Sequence, residues 1–467
     1  MNQKKYFNII ILSICILLSS YIMHAQVWTN DHSVAMRTDL LINNQGQKIK
    51  PYIDKNGREY LIEISKSPGM DTCYFTLWND NSNIVYESFL NTPNLNILDF
   101  TILGEYIYFC GQRVFSSNTI FGIIGRFNIH DFLDDGNFNY DLANIGGSEI
   151  LTKLVASYQD SDTTSIVAIG YDSINSNFQN KLVHLKVTNS NTQPVLYNGD
   201  FTNAQGNQKE VFWDIEFDGN KVITLSHIHP TDQYVVRYHN PIAPYANIGE
   251  FTYSDPNIFF IYSSTHLFDY SFHLADISEF KIAVAVFAMS NQNRPFTMVN
   301  FLKKASYYVL SSQLFYHSTK SYNILEMEYS QETNKLLILG DEQVTGTKQI
   351  QSMYILDPDI TTAYVGKQNY FANSPWNNHF SVIPQKRYAV AGARPFSQTS
   401  FSQMVTTKSI PATTSSCVIP QNLKVQPLNF HDGAPSNETI YSVSIGCGWN
   451  SFNAYNSNEG VIIECNE

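Results

Sequence analysis

Apolar and polar residues alternate along most of the chain in a repeated unit of strand, turn and strand. In the clearest copy, residues 211–226, an alternating segment reaches the turn Asp218-Gly219-Asn220, and a strongly β-branched segment follows. A period of two is typical of strands with one buried face, and Asp-Gly between two such segments is typical of a tight hairpin. A third strand is predicted at 234–238, so the unit is an antiparallel meander.

The repeat is best aligned on a strand that usually ends in glycine and is followed by another strand. Its copies lie at 60–65, 106–111, 166–170, 222–226, 282–288, 336–340 and 388–392. Repeats of this size built from strands alone predict a β-propeller or another closed array. We therefore predict an all-β protein with a seven-bladed propeller, and six and eight blades are the alternatives.

A propeller must close on itself, because an open sheet edge invites aggregation. The strand predicted at 33–42 is placed to supply the outer strand of the last blade. After residue 410 the pattern changes to a short linker and a cysteine-containing tail. We predict a signal peptide at 1–25, the propeller at 26–410 and the linker and tail at 411–467. Packing of the tail on the propeller as a cap is one interpretation.

The first residues predict export. Lys4 and Lys5 precede an almost unbroken apolar run at 8–23, and Ala25 offers a processing site. The run is shorter than the roughly 20 residues that a spanning helix needs. We expect a secreted or otherwise extracytoplasmic chain, periplasmic or at the cell surface, with no transmembrane segment after cleavage. An uncleaved anchor is the alternative.

The composition of the chain limits the classes of molecule that it is expected to bind. The formal net charge of −12 disfavours nucleic acid, acidic polysaccharide and anionic membrane as general partners, since each needs a basic surface. Aromatic residues make up 14% and charged residues 15%, which indicates a folded, core-rich chain. We expect a protein or glycan ligand and no nucleic acid, and the oligomeric state is left open.

Five of the six cysteines follow the leader. They are Cys73, Cys110, Cys417, Cys447 and Cys465. Export permits disulfides, but an odd number leaves at least one thiol outside any intramolecular pairing. The sequence does not decide which pair forms.

Between residues 34 and 410 the chain resembles secreted bacterial β-propellers as a class. It lacks the pairing of Gly-His with Trp-Asp that marks WD40 repeats, a Gly-Gly doublet in each unit as in kelch repeats, and the Ser-x-Asp-x-Gly-x-x-Trp turn of sialidase-type propellers. The resemblance therefore implies a shape and no catalytic residue, because propellers host enzymes and interaction platforms alike.

An acidic residue recurs near the start of the predicted inner strands. These residues are Asp99, Asp214, Asp276 and Glu326. A ring of carboxylates around the channel could bind a cation or a polar ligand. The favoured interpretation is that each acid accepts backbone N–H bonds that lock its blade to the next. His273 and His379 lie near inner strands of other blades and could converge with these acids.

Two segments have the ligand types of a metal site. Asp135, Asn137, Asn139 and Asp141 place oxygen atoms at every second position, a pattern that could wrap Ca²⁺. A standard EF-hand loop is excluded, because Tyr140 stands where that loop needs glycine. A looser calcium site and an ordinary connection between blades are both compatible with the segment. No other cofactor is predicted.

The second segment contains His227 and His229, which face the same side of an extended chain. Such a pair suits Zn²⁺ or Mn²⁺. Pro230 and Asp232 favour instead a surface loop that begins at these histidines.

Aromatic residues supply the last candidates. Trp213 and Trp376 are best placed to stack on a sugar, whereas most other aromatic residues are expected between blades. The predicted ligand-binding candidates are Asp99, Trp213, Asp214, His273, Asp276, Glu326, Trp376 and His379. The chain has no nucleophile-elbow, phosphate-loop or zinc-protease motif.

Three functions compete on this basis. The leading hypothesis is a secreted or surface-exposed binding module for a protein or glycan. The second is a carbohydrate-active lyase or hydrolase with Asp214, His273, Glu326 and His379 around the central channel. The third is a structural component of an envelope assembly. A deep channel pocket with converging histidine and carboxylates would favour the enzyme.

Overall fold

The structure is a computed structural model of the 467-residue chain. It describes residues 32–37, 45–67, 72–79, 84–116, 119–146, 149–172, 179–188, 195–202, 209–218, 221–229, 233–239, 247–254, 258–260, 272–291, 295–304, 308–316, 322–345, 348–359, 364–370, 377–383, 387–397, 400–409, 418–421, 425–427, 439–446, 450–456 and 462–466. Side chains are described only within residues 48–359.

Almost every described element is a strand, as the alternation predicts, and the strands form consecutive meanders. The first strands are β2 (Gln45–Ile53), β6 (Leu95–Leu103), β10 (Glu149–Tyr158), β14 (Lys209–Asp218), β19 (Phe272–Ser278), β23 (Tyr322–Ser330) and β27 (Asn377–Ile383). The second strands are β3 (Glu59–Ser67), β7 (Tyr106–Ser116), β11 (Thr163–Asp172), β15 (Lys221–His229), β20 (Lys281–Ser290), β24 (Lys335–Thr345) and β28 (Arg387–Ser397).

The outer strands complete each meander. The third strands are β4 (Thr72–Trp78), β8 (Thr119–Asn128), β12 (Gln179–Thr188), β16 (Gln233–His239), β21 (Pro295–Lys303), β25 (Lys348–Leu356) and β29 (Ser400–Ser409). The fourth strands are β5 (Ile84–Leu90), β9 (Phe138–Ile145), β13 (Val195–Thr202), β17 (Asn247–Tyr253), β22 (Tyr308–Tyr316), β26 (Tyr364–Tyr370) and, from the N-terminal side, β1 (His32–Arg37). The short β18 (Ile258–Phe260) pairs with β20 beside β19.

The tail contributes further strands at the outer edges. They are β30 (Val418–Gln421), β31 (Val425–Pro427), β32 (Thr439–Gly446), β33 (Asn450–Asn456) and β34 (Ile462–Asn466). Four of them each cover one outer strand, with β30 on β26, β31 on β22, β32 on β13 and β34 on β1. The tail therefore covers edges that would otherwise expose unpaired backbone groups.

The strands form six hydrogen-bonded sheets in a β-propeller arrangement, so the expectation of seven separate blades is corrected to six. Five sheets are each built on one meander. The remaining sheet has nine strands in the order β2-β3-β4-β5-β33-β9-β8-β7-β6. The reason for the lower count is β33, which pairs with both β5 and β9 and so joins two meanders into one sheet.

The ring of meanders closes both on the inside, among the first strands, and on the outside, among the outer strands. Each first strand contacts the first strand of the next meander, and β27 contacts β2. On the outside, β1 pairs antiparallel with β29, so residues 33–37 of the strand predicted at 33–42 supply the outer strand of the last meander, and residues 38–42 lie outside the described residues. Closure therefore pairs the N-terminal strand with a distant part of the chain, since His32 lies opposite Lys408, 376 positions further along.

Large apolar side chains fill the space between neighbouring meanders, as expected for sheets packed face to face. Phe75 of β4 has ring contacts with Phe100, Phe109, Phe127 and Phe138. One short helix, α1 (Ile129–Asp135), follows β8 and buries Ile129 and Phe132 against this cluster. The part of the chain that the structure describes contains no helix long and apolar enough to cross a membrane.

Two of the five cysteines that follow the leader, Cys73 and Cys110, are buried thiols between neighbouring meanders. Cys73 Sγ donates to the carbonyl of Leu95 at 3.2 Å, and Cys110 Sγ donates to the carbonyl of Leu151 at 3.7 Å. Each thiol thus bonds to the first strand of the following meander. Cys417 and Cys447 lie outside the described residues, and the side chain of Cys465 is not described.

Candidate functional site

A β-bulge interrupts the first strand at a corresponding place in most meanders. The register shifts fall immediately before Lys48, Asp99, Lys153, Asp214, Glu326 and His379. A bulge inserts one unpaired residue and re-aims the side chain beside it. In β19 the shift comes later, after Asp276, and His273 lies at the level of the other residues. Each of the six meanders whose side chains are described at this point therefore presents one ionisable residue at the same level.

The described side chains among them form what we call the channel ring. Its members are Lys48, Asp99, Lys153, Asp214, His273 and Glu326. They come from first strands that contact one another in sequence around the axis. None of these side chains is more than 12% exposed. The ring is thus a buried cluster of charges at the centre of the molecule.

Opposite charges are paired around the channel ring. Lys48 Nζ lies 2.8 Å from Asp99 Oδ1, and Lys153 Nζ lies 2.8 Å from Asp214 Oδ1. Glu326 lies between the two lysines, 3.8 Å from each ammonium. Two ammonium groups therefore face three carboxylates, and each carboxylate has a cationic neighbour.

Two of the acids also bind the backbone of the next meander. Asp99 Oδ2 accepts from the Leu154 amide of β10 at 2.9 Å, and Asp214 Oδ2 accepts from the Leu274 amide of β19 at 2.8 Å. Because the same bond recurs two meanders apart, it is a repeated device that fixes neighbouring sheets. The favoured interpretation of the sequence, a bond from acid to backbone, thus describes Asp99 and Asp214.

His273 completes the ring from β19. Its Nε2 bonds the carbonyl of Ile324 at 3.1 Å, so the imidazole also joins β19 to β23. Its Nδ1 faces Asp214 Oδ2 at 3.6 Å and Glu326 Oε1 at 3.8 Å. The imidazole is therefore held between two carboxylates, and its orientation is set by a backbone bond.

The pairing is reflected in the pKa values of Lys153 and Asp214. Burial works to lower the pKa of Lys153, but the charges of Asp214 and Glu326 outweigh it and raise that pKa. Burial works to raise the pKa of Asp214, but Lys153 and His273 outweigh it and hold that pKa below its ordinary value. Both groups are therefore charged at neutral pH.

Asp214, His273 and Glu326 are also the one group among the described side chains whose ligand atoms approach closely enough to hold a metal ion, within 4.8 Å of one another. The nearest cationic groups are those of Lys48 and Lys153, which already lie beside Asp214 and Glu326. A metal ion that used Asp214 Oδ2, the oxygen that faces His273, would compete with the Leu274 amide at 2.8 Å and would lie beside the Lys153 ammonium on Oδ1. The protein's own lysines thus fill the role of a cation.

Asp276, the fourth predicted acid, lies at a different level. It lies 2.7 Å from the ammonium of Lys304, which is also 2.9 Å from Asp218. Burial raises the pKa of Asp276, and burial together with the charge of Asp214 raises the pKa of Glu216 to about 8. Glu216 is two residues beyond Asp214, on the same face of β14. A second charged layer therefore adjoins the channel ring.

The structure places Trp213 and His227 in the core between β14, β15 and β19. The Trp213 ring lies 5.3 Å from Phe272, and His227 stacks on Phe272 at 5.1 Å. His227 is buried within β15, not at the start of a surface loop, and His229 ends the same strand. Both described rings therefore contribute packing between neighbouring meanders.

The calcium candidates extend along the chain instead of surrounding a point. Asp135 ends α1, and its Oδ1 accepts from the Asn137 amide at 2.8 Å. Asn139 and Asp141 lie in β9, where Asp141 Oδ2 accepts from Arg126 at 3.3 Å. These contacts give Asp135 and Asp141 partners within the protein. Trp376 lies outside the described residues, and His379 is placed only by the register of β27.

Sequence reasoning missed the two lysines of the channel ring. The alignment was made on acids alone, whereas the shared feature is an ionisable residue after a bulge in each first strand. Lys48 and Lys153 occupy that position and carry the opposite charge. An alignment on position instead of charge would have found them.

Sequence reasoning also missed an open cavity between two neighbouring meanders. The cavity has a volume of about 640 Å³ and lies where the β6–β7 turn meets the β10–β11 turn. We call it the tyrosine pocket, after Tyr106, Tyr108 and Tyr158, which line it together with Arg126 and Asp160. Because the walls of the pocket come from separate meanders, no local sequence motif predicts the pocket.

The tyrosine pocket has both aromatic and hydrogen-bonding walls. The rings of Tyr106 and Tyr108 lie 6.0 Å apart, and the Arg126 guanidinium lies 5.4 Å from the Tyr106 ring centre. The Tyr108 hydroxyl bonds the Thr164 side chain. Tyr158 is 58% exposed at the mouth. A ligand in this pocket would meet aromatic surface, a guanidinium and a carboxylate together.

A scan of protein-family models finds no match to the chain, and a search of curated proteins finds no matching sequence.

Proposed function

We propose that the protein is an extracytoplasmic binding module for a protein or glycan, and that its ligand binds at the rim of the propeller and not in the channel. The observation that carries the proposal is the mutual neutralisation of the buried channel ring, in contrast to the open tyrosine pocket. Export rests on the apolar leader at 8–23, and attachment at the cell surface and free release are both consistent with it.

The channel ring has the properties of a scaffold element. A catalytic carboxylate needs a substrate within hydrogen-bond reach. Asp214 already binds the Lys153 ammonium and the amides of Ile215 and Leu274. Asp99 likewise binds Lys48 and the amides of Phe100 and Leu154. Buried ionic groups with such partners specify how neighbouring sheets meet.

A carbohydrate-active enzyme is the second candidate, and one observation favours it. Asp214, His273 and Glu326 converge from three separate meanders, as an active site in a propeller channel would require. Glu326 is the candidate acid or base, because its contacts with Lys48 and Lys153 are longer than those of the two aspartates. We rank this function second because both ammonium groups occupy the space beside it.

Within the six-bladed ring, the nine-stranded sheet consists of two meanders that share one tail strand. Its two halves, β2–β5 and β6–β9, each repeat the four-stranded meander of the other sheets. Among the described strands, β33 alone pairs with both halves, and Cys73 of β4 also bonds to Leu95 and Ile97 of β6. Removal of β33 would therefore remove the strand pairing between the halves without changing either meander.

The experiment that tests the function compares binding with turnover for residues 26–467. The purified chain is incubated with polysaccharides and with protein fractions, and both retention and reaction products are measured. Retention without new products is the expected result. Product formation that is lost in Glu326→Gln, but kept in Tyr158→Ala, would overturn the binding module and establish the enzyme.

A further inference from the structure

We propose that the tyrosine pocket binds a neutral sugar ring of a glycan. This inference rests on the proposed binding function and gives it a site and a ligand class. A cavity of about 640 Å³ accommodates a small saccharide, and mixed aromatic and polar walls are typical of sites for small ligands.

The aromatic wall of the pocket lies against the backbone of the neighbouring meander. Gly104 lies in the β6–β7 turn with a φ of +59°, and a Cβ there would overlap the Tyr158 hydroxyl. Tyr158 of one meander can therefore pack directly on the turn of its neighbour. The hydroxyl end of Tyr158 thus rests against this turn, while 58% of the residue remains exposed for a ligand to stack on.

The polar wall supplies donors and acceptors at the same mouth. Arg126 is oriented by its contacts with Asp141 at 3.3 Å and with the Tyr106 ring. Asp160 is oriented within its own turn, where its Oδ1 accepts from the Asp162 amide at 2.9 Å. That bond lowers the pKa of Asp160, which therefore remains an ionised acceptor. Sugar hydroxyls both donate and accept, so they can use both groups.

The charges select against ionic ligands. An anionic ligand would meet Glu105 and Asp160, and a cationic ligand would meet Arg126, which already occupies the place beside Tyr106. A ligand without net charge meets no like charge and can bond to all three residues. A pyranose ring also has an apolar face, which can stack on the exposed Tyr158 ring. Neutral glycan is therefore the ligand class that the pocket fits best.

The test measures binding of defined saccharides to the intact chain by titration calorimetry. The probes are glucan, mannan and galactan tetrasaccharides, with trigalacturonic acid and tetralysine as the charged probes. We expect at least one neutral probe to bind and Tyr158→Ala to weaken it at least about tenfold. Phe280→Ala is the matched control, because Phe280 is an aromatic residue 63% exposed in the corresponding turn of another meander.

The outcomes separate this inference from the function on which it rests. Binding of a neutral probe that Tyr158→Ala leaves unchanged would overturn the pocket but keep the binding module. Preferential binding of tetralysine, lost in Asp160→Asn, would replace the glycan with a basic peptide. If no neutral saccharide binds, the proposed ligand class is wrong. Tyr158→Phe keeps the ring and should retain binding within about threefold, which confirms stacking as the cause.

Discussion

The channel ring and the tyrosine pocket both gather charged and polar residues from more than one meander, yet their chemistry is opposite. In the ring, Lys153 and Asp214 meet at 2.8 Å and are largely buried, so each charge is paired with another side chain of the same protein. In the pocket, Tyr158 and Asp160 are exposed and are held by the backbone of their surroundings. The difference teaches that convergence of ionisable groups does not by itself make a site. What matters is whether their partners are supplied by the chain.

The largest expected effect comes from breaking the ring. Asp214→Ala leaves the Lys153 ammonium and the Leu274 amide without their acceptor, and loss of one partner of a buried ion pair costs about 3–5 kcal/mol. We expect Asp99→Ala to act similarly, through Lys48 and Leu154. Urea unfolding measures both, with the exposed Asp160→Ala as a control whose free energy of unfolding should stay close to the wild-type value. A cost below about 1 kcal/mol for Asp214→Ala would show that the ring does not support the fold.

The next largest effect is expected in the pH dependence of unfolding, through Glu216 in the charged layer beside the ring. The folded pKa of Glu216, about 8, lies above the unfolded value near 4.3. Because the folded protein keeps this proton over a pH range in which the unfolded chain has lost it, the free energy of unfolding falls as pH rises from about 4.3 to 8. Glu216→Gln removes this titration. We expect the free energy of unfolding of Glu216→Gln, relative to wild type, to increase from pH 5 to pH 8.

The slope of that difference is at most about 1.4 kcal/mol per pH unit, and water in the channel would reduce it. Asp218→Asn, two residues further along β14, serves as the comparison because its carboxylate has a lysine partner at 2.9 Å. A pH-independent difference between Glu216→Gln and wild type would mean that Glu216 is ionised in the folded protein.

The smallest effect on stability is expected at the pocket. Gly104→Ala places a side chain at a φ of +59° and displaces Tyr158, which should cost about 1–2 kcal/mol. Because Tyr158 is exposed, it can move away, so the fold should survive while the pocket is reshaped. Thermal unfolding and saccharide titration on the same sample measure both effects. Unchanged binding in a destabilised Gly104→Ala would separate the turn from the pocket.

Much of the fold could be predicted because apolar and polar residues alternate locally along each strand. The strands at 106–111 and 222–226 appear as β7 and β15, and the strand at 33–42 closes the ring as β1. The sheet count could not be predicted, since it depends on β33, whose pairing with β5 and β9 joins segments more than 300 residues apart. Long-range edge pairing leaves no mark in the periodicity of the strands involved.

The site was predictable only in part. Asp99 and Asp214 were found because acids recur at one level, and His273 was placed near them. Lys48 and Lys153 escaped because the search was restricted to one charge. The tyrosine pocket escaped for a physical reason, since Tyr106 and Tyr158 lie in different meanders and meet only when the ring is assembled.

The most direct test of the central claim is a crystal structure of the chain soaked with a neutral tetrasaccharide and with Zn²⁺ and Ca²⁺. The account predicts sugar density on the Tyr158 ring, between the β6–β7 and β10–β11 turns. It also predicts Lys153 still paired with Asp214 in the channel. Sugar or metal density beside Asp214, His273 and Glu326, with the lysine displaced and the tyrosine pocket empty, would contradict the account and place the function in the channel.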